Sequence, residues 1–234
     1  MNNTLIDNSI EALSMTATLR KCLAIDGIKT VSIATGYWDI PGLAILQENL
    51  RSFIEKDGTT LRLLIGKDPY IYANQLKSPK YKDANYPLDF IKTDIHELNV
   101  TEEYKDAIRL LLDYCTENND SKIQIRVFRK NENDETQFLH SKCYIFDGKS
   151  NGIGIGIVGS TNFTQKGLQG NAELNYIETA PNQVLSLDKI PGNKSHLIWF
   201  NEKWEISEPW NKQFFIFIHT NYISNCYKLS LVTL

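Results

Sequence analysis

Apolar and polar positions follow two rhythms along this chain, one of period two and one of helical period. Residues 29–35 (Lys-Thr-Val-Ser-Ile-Ala-Thr) are rich in β-branched side chains and read as a strand ending at Gly36-Tyr37-Trp38. Pro41 suits the first turn of a helix, along which Leu43, Ile45, Leu46, Leu50, Phe53 and Ile54 recur at helical spacing until Asp57-Gly58 stops it. Residues 60–66 form a second, mostly apolar strand, which predicts a central place in a sheet. Strand, helix and strand in this order predict a βαβ unit.

The stretch from Lys67 to about Tyr86 is polar and reads as an excursion. A helix follows, starting near Thr101-Glu-Glu, with Tyr104, Ile108, Leu111 and Leu112 as its apolar stripe. Residues 122–127 alternate as a strand with one wetter face, and the acidic, Asn-rich segment 131–137 reads as a turn. Residues 138–146 predict the next strand, closed by Asp147-Gly148, and 153–158 the strand after it. A short helix over 164–168 and a strand over 172–178 complete the regular pattern. Residues 195–207 predict a helix packed through Leu197, Ile198, Trp199, Phe200 and Trp204. The expectation is an α/β layered domain over residues 1–190, a mixed β-sheet flanked by helices on both faces. Residues 191–234 are expected to form a helical, aromatic extension packed on the same domain.

Composition narrows the function class. The 234 residues are 42% hydrophobic and 23% charged, ordinary for a soluble globular protein. The strongest apolar run, Phe214 to Ile218, is far too short to span a membrane, and the N-terminus has no basic region followed by an apolar stretch. The expectation is a cytoplasmic protein without a membrane partner. Cys22, Cys115, Cys143 and Cys226 are scattered, with no Cys-x-x-Cys pair, so they read as buried thiols rather than zinc ligands or a disulfide framework. A net charge of −3 argues against a general nucleic-acid coat, while leaving room for a local basic cleft.

The chemistry concentrates between His140 and Glu173. His140 and Lys142 lie two apart on a predicted strand, where side chains share a face, so an imidazole projects beside a fixed cation. Asp147 follows after four intervening residues, and the next strand ends in Gly159-Ser160-Thr161-Asn162. A glycine lets backbone approach a ligand, while the Ser160 hydroxyl and Asn162 amide are neutral donors for a phosphate. Gly167-Leu-Gln-Gly170-Asn171-Ala-Glu173 then brings a carboxylate within plausible reach of His140. Phosphoryl transfer needs an in-line nucleophile, donors around the non-bridging oxygens and an acid for the leaving oxygen. No carboxylate cluster or nucleotide-binding glycine motif accompanies the set, which predicts chemistry without metal or cofactor.

His-x-Lys-x4-Asp followed by Gly-Ser-x-Asn and Gly-Leu-x-x-Asn-x-Glu resembles the signature of the phospholipase D superfamily, and implies that superfamily's layered fold. The resemblance implies two such motifs per active site, one histidine forming a phosphohistidine and the other protonating the leaving group. Carried onto this chain, His140 is nucleophile or acid, and Lys142 and Asn162 bind the phosphate with Ser160 in support. Glu173 orients the imidazole, and Asp147 and Gly159 are supporting residues. Glu173 as a plain surface residue and Asp147 as a turn former are the bland alternatives.

Only one His-x-Lys is present: His96, His196 and His219 lack the lysine two residues on. The partner half-site is therefore expected from a second copy, in a homodimer with its active site at the interface. The segments Ile33–Trp38, Leu63–Gly66 and Trp199–Trp204 are also similar to bacterial phospholipase-D-like nuclease domains found beside helicases and restriction or phage-defence modules. That resemblance implies a DNA substrate and a possible helicase or restriction-system partner. Tyr37 and Trp38 are candidates to stack on bases or to pack in the core. Lys122, Arg126, Arg129 and Lys130 could track a backbone or form a solvated face. The alternatives are a lipid phosphodiesterase of the same superfamily, or a catalytically silent nucleic-acid-binding or dimerisation module of a helicase system.

Overall fold

The computed structural model describes residues 5–66, 102–118, 120–128, 139–188 and 194–216. The predicted excursion from Lys67 and the predicted turn at 131–137 lie outside them, as does Cys226. One mixed sheet of eight strands organises the chain. In chain order these are β1 (Leu5–Asp7), β2 (Thr30–Thr35), β3 (Thr60–Ile65), β4 (Ile123–Val127), β5 (Cys143–Asp147), β6 (Gly154–Gly159), β7 (Leu174–Glu178) and β8 (Glu208–Pro209). Their order across the sheet is β1-β7-β6-β5-β2-β3-β4-β8. β2, β3 and β4 run parallel, and every other pairing is antiparallel.

The side-chain alternation of each strand sorts two cores onto the two faces. Val31, Ile33, Leu61, Leu63, Tyr144 and Phe146 point to one face and meet Met15, Leu19, Leu43, Leu50, Phe53 and Leu111. Those residues come from α1 (Met15–Leu23), α2 (Ile40–Ile45), α3 (Gln47–Ile54) and α4 (Glu102–Tyr114). Ala34, Leu64, Cys143 and Ile145 point the other way, onto Val184 of α5 (Pro181–Val184) and Phe200 and Trp204 of α6 (His196–Glu205). Helices on both faces of a mixed sheet are the arrangement the sequence predicts. Ser14 caps α1, and Ser195 caps α6 by accepting the Ile198 N–H at 3.1 Å. The segment after residue 193 joins the same architecture, since α6 covers the second core and β8 pairs with β4. Among the described residues no helix is long and apolar enough to cross a membrane.

Three local readings change. The helix expected from Pro41 to Asp57 is two helices, broken at Leu46 (φ −114°, ψ 5°). α2 is held at its start, where the Asp39 carboxylate accepts the Gly42 N–H and where a Cβ on Gly42 would strike Thr164 backbone. α3 is aimed by its own burial of Leu50, Phe53 and Ile54, so the bend falls between these two constraints. The helix expected over 164–168 is a single wide turn, Lys166–Gly170. The strand expected over 138–146 begins only at Cys143, because its ladder with β2 closes at Ala34↔Cys143.

Candidate active site

What precedes β5 leaves the sheet and crosses the ends of β2 and β3. It can do so because β3 is followed by glycine. A Cβ on Gly66 would collide with the Leu139 carbonyl, and one on Gly36 would stand 3.4 Å from that same oxygen. The crossing puts His140 over the strand ends. The Gly36 Cβ position is 3.5 Å from His140 Cδ2 and 3.4 Å from Asn162 Oδ1, so imidazole and amide flank one bare backbone position.

His140 and Lys142 do not share a strand face, which corrects the sequence expectation: without a ladder there is no pleat to alternate them. His140 is exposed, whereas Lys142 is only 7% exposed. Its Nζ donates to the His140 carbonyl at 2.7 Å, so the ammonium is tied to the backbone of the histidine.

Asn162 is fixed from behind. Its Oδ1 accepts the Tyr37 N–H at 3.2 Å and lies 3.3 Å from the Thr35 hydroxyl. With the oxygen held against backbone, the amide N–H₂ is the outward donor. The loop around it is pinned on several sides. Thr35 Oγ1 accepts the Phe163 N–H at 3.0 Å, Asp39 accepts the Gln165 N–H at 3.0 Å, and Tyr144 donates to the Thr161 carbonyl at 2.8 Å. Asn175 exchanges two hydrogen bonds with Thr161, at 3.2 and 2.8 Å. Burial raises the Asp39 carboxyl above its ordinary range, against the lowering effect of the two N–H groups it accepts. Burial likewise raises the Tyr144 phenol well above its ordinary value, so it stays a neutral donor.

Ser160 and Glu173 form the outer rim. The Ser160 hydroxyl donates to the Glu173 carboxylate and accepts the Leu174 N–H at 3.1 Å, while Asn171 donates to the other carboxylate oxygen at 3.1 Å. Gly159 ends β6 so close to Asn175 that a side chain there would strike its backbone. Asp147 is at the opposite end of β5, about 13 Å from Cys143 at ~3.3 Å per residue. There its carboxylate accepts the Lys149 N–H in the turn. The Cys143 thiol, next to Lys142, is pushed up to about 12 by burial and has no nucleophilic character at neutral pH.

The candidate nucleic-acid contacts separate. Tyr37 is half-buried beside Asn162. Trp38 is 7% exposed and packs on Phe214 with ring centroids 5.6 Å apart, which makes it a core residue and corrects the stacking expectation. Residue 38 bridges to Phe163 just before the Asp39 cap turns the chain into α2, which turns its ring inward. Arg126 donates to the Trp204 carbonyl at 2.7 Å and lies over its ring, so it holds the end of α6. Arg129 and Lys130 are outside the described residues.

Sequence reasoning missed Gly36, Gly66, Thr35, Asp39, Tyr144 and Asn175, all of which position the motif. Thr35 ends a predicted strand and Gly36 follows it, a signal that could have marked them as site backbone. The others touch the motif only through the tertiary fold.

The sequence matches the family described as "Cardiolipin synthase, PLD-like domain" over residues 24–190. No curated protein matches it. Among solved structures it is similar to Nuc, a phospholipase D family member from Salmonella typhimurium, at 14% identity and TM-score 0.48, covering 88% of this chain and 95% of that one. NucT from Helicobacter pylori aligns at 13% identity and TM-score 0.44, over 88% of this chain and 97% of that one. A polyphosphate kinase from Porphyromonas gingivalis aligns at 10% identity and TM-score 0.37, over 80% of this chain and 20% of that one. We rest the assignment on the sequence match, which takes in the whole stretch from His140 to Glu173: this chain belongs to the phospholipase D-like domain family.

Proposed function

We propose that the protein is a metal-independent phosphodiesterase that cleaves DNA through a covalent phosphohistidine, with an active site assembled from two copies of the chain. The observation that carries this reading is at the sheet's end, where the His140 imidazole and the Asn162 amide flank Gly36 and the Lys142 ammonium is bonded to the His140 carbonyl. An imidazole, an amide and an ammonium suit phosphate oxygens rather than a cation.

In the proposed reaction His140 attacks phosphorus in line with the leaving oxygen. The N–P bond forms as the P–O bond breaks, and the same histidine of the second copy gives its proton to the departing oxygen. Water then attacks the phosphohistidine, losing a proton to that second histidine, and His140 leaves. Lys142 and Asn162 neutralise and orient the non-bridging oxygens, Ser160 supports them, and Glu173 orients an imidazole.

A second copy is supported by the surface beside the rim. Leu174 and Tyr176, directly after Glu173 on β7, are 58% and 45% exposed, and Leu5, opposite Tyr176 on β1, is 51% exposed. Isolated exposed apolar residues are ordinary, but a cross-strand group bordering half a catalytic site fits an isologous contact. The similarity of Ile33–Trp38, Leu63–Gly66 and Trp199–Trp204 to nuclease domains beside helicases supports a restriction or phage-defence role, with a helicase as possible partner.

The test is plasmid DNA incubated with the protein in EDTA. Cleavage is expected, with a loss on the order of 10⁴-fold or more in His140→Ala. Intact DNA with retained binding would instead identify a silent binding module, and head-group release from phospholipid vesicles a lipid phosphodiesterase. Light scattering at micromolar concentration is expected to give twice the chain mass, and a fully active monomer would overturn the two-copy site.

A further inference from the structure

We propose that the cavity between β6 and the start of α6 is a subsite for a single nucleic-acid strand as it runs past the scissile phosphate, a reading that rests on the phosphodiesterase proposal above. The cavity holds about 420 Å³, room for a nucleotide, and its walls include Lys142, Val158, Lys194, His196 and Trp199. Lys142 belongs to both places. Its ammonium is bonded to the His140 carbonyl and the residue also lines the cavity, so the cavity adjoins the half-site through one side chain.

Charge and shape both point to a polyanion carrying flat rings. Lys142, Lys194 and His196 supply three basic groups to its lining, and Lys194 is ion-paired with Glu202 at 2.5 Å. The His196 ring lies across β6 at Gly156, where a Cβ would stand 3.0 Å from it, and its Nδ1 is 3.3 Å from the Gln183 carbonyl. Donation there holds the Nδ1–H tautomer and leaves Nε2 as the second ring nitrogen. Since Cys143 pairs with Val158, the run from Lys142 to the level of Gly156 is about 10 Å at ~3.3 Å per residue. That is the reach of the next nucleotide or two in an extended strand. Trp199 lies one turn into α6, half-buried, and forms an apolar wall with Val158, which is 36% exposed. Cations along one path with an indole beside it are the usual means of holding single strands without reading sequence. An acyl chain would meet two lysines and an imidazole in the same space.

The test measures binding in the His140→Ala background, so that no cleavage intervenes, using a short labelled oligothymidylate and fluorescence anisotropy. Lys194→Gln is expected to weaken binding and to lower the slope of log affinity against log salt by about 0.7. Trp199→Ala is expected to weaken it roughly 5- to 150-fold, the range of one base–aromatic stack. Glu202→Gln, which frees Lys194, is expected to tighten it. Lys194 and Glu202 are exposed enough that their variants fold, so they decide the matter even where Trp199→Ala does not. Unchanged affinity and salt slope in Lys194→Gln and Glu202→Gln would overturn the subsite. So would losses confined to phosphatidylglycerol vesicles, which would assign the cavity to lipid. Cleavage of plasmid by the unaltered protein is scored separately, so a failed subsite and a failed catalytic reading remain distinguishable.

Discussion

The two faces of the sheet are built to different degrees of completeness. On one, α1 to α4 cover the strands with a continuous core running from Ile6 to Phe214. On the other, among the described residues, α5 and α6 cover the middle of the sheet. Beyond them Val158, Leu174, Tyr176 and Leu5 stay exposed, next to the Ser160–Glu173 rim and the cavity that Lys142 shares with α6. The closed face sets the strands in register, and the half-open face carries the groups able to meet a substrate or a second chain. A site needs both: rigid positioning from behind and unfilled space in front.

This contrast can be broken most sharply by truncating equivalent apolar side chains on the two faces. Phe53→Ala, on the closed face at 1% exposure, is expected to cost about 3–5 kcal/mol in urea denaturation. Leu174→Ala on the open face is expected to stay within about 0.5 kcal/mol for the dissociated chain, its cost falling instead on the pairing of two copies seen by light scattering. Comparable losses at the two positions in the dissociated chain would mean that the open face is covered by the chain itself. The join between the faces is probed by Thr35→Val, which keeps the shape but strips the acceptor from the buried Phe163 N–H and the hydroxyl beside Asn162. The expectation is about 1–3 kcal/mol of lost stability. A lower kcat at temperatures where the variant remains folded is also expected, and normal turnover would show that Asn162 needs no support from behind.

The smallest effect belongs to Asp39. Its folded carboxyl titrates above the unfolded value, so the native state holds the proton more tightly and stability falls as pH rises through that raised range. Asp39→Asn keeps an oxygen for the Gly42 and Gln165 N–H groups and removes the buried charge. Thermal melts across acidic pH are expected to show a downward step with rising pH in the parent that is missing in the variant. Equal pH profiles would mean that the carboxylate is solvated.

Much of this was legible in the sequence, and the exceptions have physical reasons. Six of the eight strands announced themselves because their alternation is enforced by one face each; β4, with Ile123, Ile125 and Val127 inward, is the plainest case, whereas β1 and β8, three and two residues long, are too short to show a period. The motif residues were legible because their spacing is local. What escaped was everything set by remote chain. The start of β5 depends on where β2 stops offering a ladder, and Trp38 is buried by Phe214, far along the sequence. Arg126 looked like a free cation on a wet face because nothing nearby in the chain tells of Trp204 folding over it.

The bare backbone at Gly66 has a bearing on protein engineering. The thirty-four residues from His140 to Glu173 look like a cassette that could be spliced into any sheet of similar width. They are not portable alone. The chain bearing the histidine needs the end of β3 shaved to hydrogen at Gly66, where a Cβ would collide with the Leu139 carbonyl. A recipient scaffold with alanine at that socket would accept the letters of the motif and displace the chain that carries the imidazole. A successful transplant therefore has to move the socket first and the motif residues second.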